Sequence, residues 1–533
     1  MTPIPEWPTE PQPAVPRQEE PETPPSEPPA RRGGARSLLT GTGWQALSQI
    51  LPLIVNLALT PYVIHGLGLG LYGIFLLVAS LQIFLGSFDG GIGASAGRYF
   101  SIYAGRGDAV ATTRLLCTLQ VAVTGVSLAL FAIVFWAAPA IVAFFPATDP
   151  DPAGAVLLLR VMVGISAVAQ MRGLLAQVLY AHQRFAVSST ALLLGSVVYT
   201  IGVIWTVETG QGLTGIAWTF IGQQVVGSLI IVPSALRLLS RAGVGFVSKD
   251  LLKEFFQYAW KIQISGLLTM VSEQGDHMLV GKFAARDMVA FGTGASFANT
   301  LGTVPMNAAF PIQSHVGQTV GAEGPEGAAD NIDRLERIWL TVIVGWIAVG
   351  APAALFGVNS WLSLGTTLPG IIACLALISR GAHLFVFVHT QWANTLGRSD
   401  VAMKSSVVNV VVNISLSLAL IGTFGALGSV VATLVASVVS GILTVILAQR
   451  VLSTRLVNPI AKVPWLIAAA SAGLSFALAW TVDRFIVGPI VPEGPLGLVS
   501  IGLSAAPVLA LYVVAALGPQ RSRELLARIK NRG

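Results

Sequence analysis
Lys261, Glu273, Asp276 and His277 fall inside one largely apolar stretch. It runs from Glu254 to Phe283 and reads EFFQYAWKIQISGLLTMVSEQGDHMLVGKF. About 20 apolar residues suffice to cross a bilayer, so the stretch is long enough to span. On a helix Lys261, Ser265, Thr269, Ser272 and Asp276 follow at intervals of four or three and share one face, with Glu273 beside it. A charge at mid-membrane costs ~3 kcal/mol or more. Such a face is expected to look into a wet cavity or a bundle interior, where it can hold an ion or an anionic cargo. The other reading is an internal ion pair that only joins helices.

Further cations lie in or beside apolar stretches: Arg160 and Arg172 in a fourth, Arg380 in a tenth, and Arg98 at the close of the second. The acids that match them are few, namely Asp89, Glu273 and Asp276, which are candidates for ion coupling or for internal pairing. A cavity with this excess suits an anionic cargo such as a pyrophosphate, whose oxygens a guanidinium grips in forked geometry. Lys261 and Arg380 are the leading substrate-binding candidates, followed by Arg160, Arg172 and Arg98. Arg160 and Arg172 are about 18 Å apart along a helix and on different faces, and Arg98 and Arg172 have the alternative of reaching the headgroups. Gln45, Gln49, Asn56 and Trp260 are candidate sugar contacts, because amides and flat aromatic faces bind sugars. For any single amide the competing role is a hydrogen bond between helices, worth ~0.6–2 kcal/mol.

The elements that must position these residues are membrane helices. Of 533 residues 54% are hydrophobic and 11% charged, with mean hydropathy +0.74. Soluble domains carry about 25% charged residues. About fourteen stretches have spanning length: 37–64, 70–97, 112–145, 155–181, 187–207, 213–239, 254–283, 288–318, 333–357, 367–396, 401–421, 425–449, 464–486 and 496–517. The expected fold is all-α and polytopic. An even count puts both termini on the cytoplasmic side. Basic residues agree, since they accumulate in cytoplasmic connections. Connections expected inside hold Arg106, Arg114, Arg184, Arg237, Arg241, Lys249, Lys253, Arg334, Arg337, Arg398 and Lys404, among others. Those expected outside hold Lys282, Arg286 and Arg484. Residues 1–36 begin with a Pro- and Glu-rich tract that cannot bury a core and is expected to be a disordered cytoplasmic tail; residues 518–533 form a basic cytoplasmic tail.

The two halves repeat. LYAHQRFAVSS (Leu179 to Ser189) and LGRSDVAMKSS (Leu396 to Ser406) both join one span to the next. Their serines Ser188 and Ser405 are 217 apart, as are Gly73 and Ala290, which open the second span of each half. A four-residue insertion then brings Gly212-Leu-Thr-Gly215 opposite Gly425-Ala-Leu-Gly428. A shared register over separate regions indicates duplication. It gives helices 1–6 in 37–239, helices 7–12 in 254–450 and two extra helices in 464–517. Paired six-helix lobes related by an axis along the membrane normal imply alternating access, with a site at their interface. No GxxxxGK[ST] phosphate loop occurs. Two cysteines, Cys117 and Cys374, lie inside spans, and six histidines show no metal-ligand spacing. An enzyme is not expected: no outside connection could hold a catalytic domain.

The opening spans resemble polysaccharide-export flippases, members of the multidrug/oligosaccharidyl-lipid/polysaccharide exporter superfamily. The likeness rests on a Gly-rich turn, then Gly70-Leu-Tyr72-Gly73, Asp89-Gly-Gly-Ile92 and a closing Arg98, and on Asp276 before Leu279-Val-Gly281-Lys-Phe283. It covers roughly residues 37–450. The resemblance implies two V-shaped lobes around a central cavity and transfer of an undecaprenyl-pyrophosphate-linked oligosaccharide across the bacterial cytoplasmic membrane. It implies a coupling cation, H+ or Na+, with Asp276 and Glu273 as candidates, and no other cofactor. Expected partners are the polyprenyl-linked oligosaccharide, the bilayer and polysaccharide-assembly enzymes, with no nucleic acid. Alternatives are a drug or organic-cation antiporter of the same superfamily, which needs an acidic cavity, and a lipid II flippase, from whose pattern the first span departs by lacking basic residues. A major-facilitator transporter is disfavoured because GASAGRYFSIYAGRGD lacks that family's loop motif. A membrane scaffold would leave the charged faces unexplained.

Overall fold
The computed structural model describes residues 35–87, 92–105, 107–182, 184–247, 249–327, 329–396, 398, 400–451 and 459–517. The described chain is helical apart from one isolated bridge between Val487 and Val491. The first half comprises α1 (Ala35–Gly86), α2 (Ile92–Gly105), α3 (Ala109–Phe144), α4 (Pro152–Ala181), α5 (Phe185–Glu208) and α6 (Gly212–Leu236). The second comprises α7 (Lys249–Phe283), α8 (Met288–Gly327), α9 (Ala329–Leu362), α10 (Leu368–Phe385), α11 (Phe387–Thr395), α12 (Asp400–Phe424) and α13 (Ala426–Val451). Two further helices, α14 (Trp465–Phe485) and α15 (Pro495–Leu517), follow.

Among the described residues, 11 stretches are long and apolar enough to cross a membrane. The difference from about fourteen lies where the polar residues are. The first two expected spans form one helical run that breaks at Gly68 (φ 80, ψ 161), a backbone conformation open to glycine. Within it Val55–Gly86 qualifies, while α7 and α8, which carry the charges and amides, do not. The tenth expected span is divided into α10 and α11 at Val386. The connection expected between the eighth and ninth spans, 319–332, is largely helical, belonging to α8 up to Gly327 and to α9 from Ala329.

Local chemistry starts the helices. Asp108 and Asp151 cap α3 and α4 by accepting from Ala111 N (2.8 Å) and Gly154 N (2.9 Å). Such a cap is worth about 1 kcal/mol. Gly212 (φ 56) opens α6, and Gly425 (φ 59) precedes α13. One turn later a side chain at Gly215 would strike Thr206, and one at Gly428 would strike the backbone of Leu420. The aligned glycines therefore do the same work in both halves, a left-handed entry and then close passage against the preceding helix. Asp287 supports the second of these turns by accepting from Ala426 N at 3.0 Å.

Packing recurs with the register. In the first half α4 packs on α3 and α6, α5 on α6, and α1 on α5; in the second α10 packs on α9 and α13, α12 on α13, and α7 on α12. One apolar core of buried residues runs through both halves, from Ile74, Leu77 and Leu158 to Val280, Ile372 and Val430. Trp361 donates to the carbonyl of Leu57 at 2.6 Å, tying α9 to α1. The extra helices α14 and α15 pack on α9 and on each other. Gly345 lets Tyr512 of α15 approach, and Tyr512 donates to the carbonyl of Thr341 at 3.0 Å.

Candidate functional site
A cavity of about 370 Å³ that several polar side chains enter lies inside the second half. α7 supplies Ser272, Glu273, Asp276 and His277, and α8 supplies Asn299. α10 supplies Ser379, Arg380 and His383, α12 Asn409, and α13 Thr433 and Ser437. Each helix contributes residues three or four apart, which share a face. The interface between the halves, expected to hold the site, is not where this cavity sits.

Asp276 is only 6% exposed. Its carboxylate accepts from four side chains: Thr433 Oγ1 (2.5 Å), Ser429 Oγ (2.9 Å), Ser417 Oγ (3.3 Å) and Asn413 Nδ2 (3.4 Å). A carboxylate withdrawn from water needs hydrogen bonds or a counter-charge. Here donors from α12 and α13 supply the bonds, and no basic side chain pairs with it among the described residues. Ser272, one turn away, donates to Asn409 Oδ1 at 2.8 Å. The surrounding oxygens, from a carboxylate, hydroxyls and amides, are the donor set of a hard cation. No cluster of three or more His, Cys, Asp or Glu able to hold a metal occurs among the described residues.

Glu273 faces the same cavity and pairs with Arg380, Oε1 to Nη1 at 3.0 Å. Arg380 also donates from Nε (3.0 Å) and Nη2 (2.5 Å) to Asn299 Oδ1. The pair is only partly shielded, with 35% and 29% of the two side chains exposed. Arg380 is thus held by groups that a competing anion can displace. Glu273 and Asp276 are one turn apart, with Cβ atoms about 5–6 Å apart, so charge at one is felt at the other.

Other expected site residues are placed elsewhere. Arg160 lies in a separate apolar groove over α4, donating from Nε to the carbonyl of Phe135 at 3.0 Å. Arg172 turns toward α6, with Nη1 3.4 Å from the carbonyl of Gln224. The physical reason is that α4 packs between α3 and α6, so these two faces meet neighbours rather than the cavity. Neither arginine lines the described cavity. Asn56 is exposed on α1, with Thr60 donating to its carbonyl at 2.7 Å. The side chains of Lys261, Arg98, Trp260, Gln45 and Gln49, and the whole of Asp89, lie outside what the structure describes.

Sequence reasoning overlooked the partners of Asp276. They belong to two stripes, Ser405, Asn409, Asn413 and Ser417 on α12 and Ser429, Thr433, Ser437, Ser440 and Thr444 on α13. The signal was present as polar residues every four, or three, positions along apolar helices. Cross-links join the stripes: Asn409 donates to Ser440 at 3.2 Å, and Thr444 to Ser405 at 2.8 Å. A second cavity of about 140 Å³ opens between them.

The sequence profile of a polysaccharide biosynthesis protein family matches residues 111–318. A search of curated proteins finds no match. Among solved structures the chain is similar to the lipid II flippase MurJ in its inward closed conformation, at TM-score 0.62 and 13% identity, over 92% of this chain and 100% of that one. It is similar to the Vibrio cholerae MATE transporter VcmN, at TM-score 0.56 and 18% identity, over 79% and 98%. An inward-facing multidrug resistance MATE family transporter of the MOP superfamily gives TM-score 0.59 and 15% identity, over 78% and 98%. The chain is a multi-pass membrane protein with the fold of the MOP superfamily transporters, and its residues 111–318 match a polysaccharide biosynthesis family.

Proposed function
We propose that the protein flips a polyprenyl-pyrophosphate-linked oligosaccharide across the bacterial cytoplasmic membrane, with both termini cytoplasmic, as a transporter rather than an enzyme. The observation that carries this reading is the pairing of Arg380 with Glu273 in the cavity that also holds Asp276. A pyrophosphate competes with Glu273 for Arg380, since guanidinium matches phosphate oxygens in forked geometry. Asp276 binds the coupling cation, H+ or Na+, with Ser417, Ser429 and Thr433 as further oxygen ligands for Na+. Its charge changes the field at Glu273 one turn away and so shifts Arg380 between carboxylate and cargo. The family match and the flippase fold of MurJ support this assignment.

One observation favours a second reading. The described cavity lining holds two carboxylates, Glu273 and Asp276, against the single arginine Arg380. That balance suits an organic cation, as an antiporter would require. A proteoliposome assay decides between the two. A fluorescent polyprenyl-pyrophosphate oligosaccharide and a cationic dye are followed in parallel, with and without an imposed ion gradient. Movement of the lipid-linked sugar above empty vesicles, without dye export, is the expected result. Dye export alone makes Glu273 and Asp276 the binding site of an antiporter. Movement of lipid II in preference to other lipid-linked sugars would assign the cargo of the lipid II flippase.

A further inference from the structure
The groove that holds Arg160 serves neither the cavity nor the packing of the two halves. Its floor is α4 and its walls are α3 and α6, and its volume is about 830 Å³. The walls are apolar, including Phe131, Phe135, Val225 and Leu229, and the last two are 50% and 69% exposed on the outer surface. Gly164 sits on the floor close against Phe131, and a Cβ there would lie 3.2 Å from the ring. Two other polar lining residues are already bonded to backbone, Gln224 to the carbonyl of Ile165 and Ser228 to that of Gln224. Arg160 is the charged residue of the lining. Its guanidinium lies 4.3 Å above the Phe135 ring and donates from Nε to the Phe135 carbonyl. No carboxylate pairs with it among the described residues. A guanidinium has five N–H donors, so the bond from Nε leaves most of its capacity for an anion.

The depth of Arg160 indicates which anion. Trp136, next in the chain to Phe135, is 80% exposed, and exposed indoles mark the headgroup level of membrane proteins. From Leu157 to Val168 the groove follows α4 for about 16 Å, and along α6 it runs from Ile221 to Pro233. Arg160 is near the end toward the α3–α4 connection, the outer side by the asymmetry of basic residues.

We propose that this groove is a site for an anionic glycerophospholipid of the outer leaflet, with its phosphate on Arg160 and an acyl chain along α4. The charge complementarity of a lone guanidinium in an apolar, lipid-facing groove selects this occupant over a neutral lipid. The site is independent of the cargo cavity and does not rest on the assigned cargo.

Photocrosslinking of the full-length protein tests it. Benzoylphenylalanine replaces Val225, and the protein is placed in vesicles of equimolar phosphatidylglycerol and phosphatidylcholine. Labelling of phosphatidylglycerol is expected to exceed that of phosphatidylcholine roughly fivefold. The preference should vanish in Arg160→Gln and persist in Arg160→Lys, which keeps the charge if the glutamine variant fails to fold. Equal labelling of the two lipids with Arg160 intact, or an unchanged preference in a folded Arg160→Gln, overturns the proposal. Displacement of the phospholipid by an equimolar polyprenyl monophosphate also overturns it, in favour of a site for the isoprenoid carrier.

Discussion
At the scale of single residues, Asp276 and Arg380 differ in what holds them. Asp276 is surrounded by neutral donors, so Asp276→Asn retains an acceptor oxygen and the cavity's shape while removing the charge. The expected outcome is a folded protein whose lipid-sugar translocation no longer responds to an ion gradient, measured in proteoliposomes with and without that gradient. Sustained gradient dependence would exclude Asp276 as the coupling residue. Arg380→Gln instead leaves Glu273 without its partner. Because both side chains are about one-third exposed, the stability cost is held to about 1 kcal/mol. Translocation should fall about tenfold or more, as expected for losing a charged hydrogen bond to the cargo. Arg380→Gln with Glu273→Gln should recover the stability but not the transport, a split that a thermal melt and a flip assay together report. Asp276 and Arg380 were both legible as candidates because ionisable residues stand out inside apolar spans. The bond from Arg380 to Glu273, across 107 positions, was not, because helical periodicity describes one helix at a time.

At the scale of elements, a buried charge cluster joins three of them. Lys462, in the segment Pro459–Lys462 before α14, lies 2.5 Å from Asp333 and 2.5 Å from Glu336, both on α9. His389 on α11 lies 2.5 Å from the other oxygen of Glu336. Glu336 and His389 are fully buried and Lys462 nearly so. Removing one member of such a cluster strands the others, at a cost of about 3–5 kcal/mol. Lys462→Met should therefore lower the thermal midpoint strongly, and Lys462→Met with Glu336→Gln should recover part of it. A melt in which Lys462→Met matches the parent would show that the cluster contributes nothing to stability. The close approach at Gly345 makes a second test of this region. A side chain there would run into the Tyr512 ring, so Gly345→Leu should undock α15 and expose α14–α15 to limited proteolysis. The last two helices fall outside the repeat in the sequence. Lys462, which ties the segment before them to α9, lies outside any span, a position where a lysine ordinarily reads only as a topology marker.

At the scale of the whole molecule, the halves carry unequal chemistry on similar packing. The helix pairs of the first half reappear in the second. Yet the described cavity with two carboxylates and an arginine lies in the second half, and the lipid-facing groove with Arg160 lies in the first. Replacing Asn413 and Ser417 together by Ala removes two of the four donors to Asp276. The expected outcome is weaker gradient dependence of transport at unchanged membrane expression, read by the same proteoliposome assay and by gel filtration. Loss of folded protein would instead mark these residues as packing elements of the α12–α13 pair.

The sequence by itself determined that this is a helical membrane protein, the approximate limits of most helices, the register shared by the halves and the glycines at their matched turns. These follow from local rules: the length of an apolar run, the spacing of basic residues, and the backbone freedom that only glycine supplies. Tertiary structure alone decided which cations face the cavity and what Asp276 touches. Asp276 meets Asn413, Ser417, Ser429 and Thr433 across 137 to 157 positions of chain. Arg160 and Arg172 satisfy the same composition rule as Arg380 but point at α3 and α6. Periodicity sorts residues onto the faces of a helix. Which face looks inward is settled only when neighbouring helices pack against it.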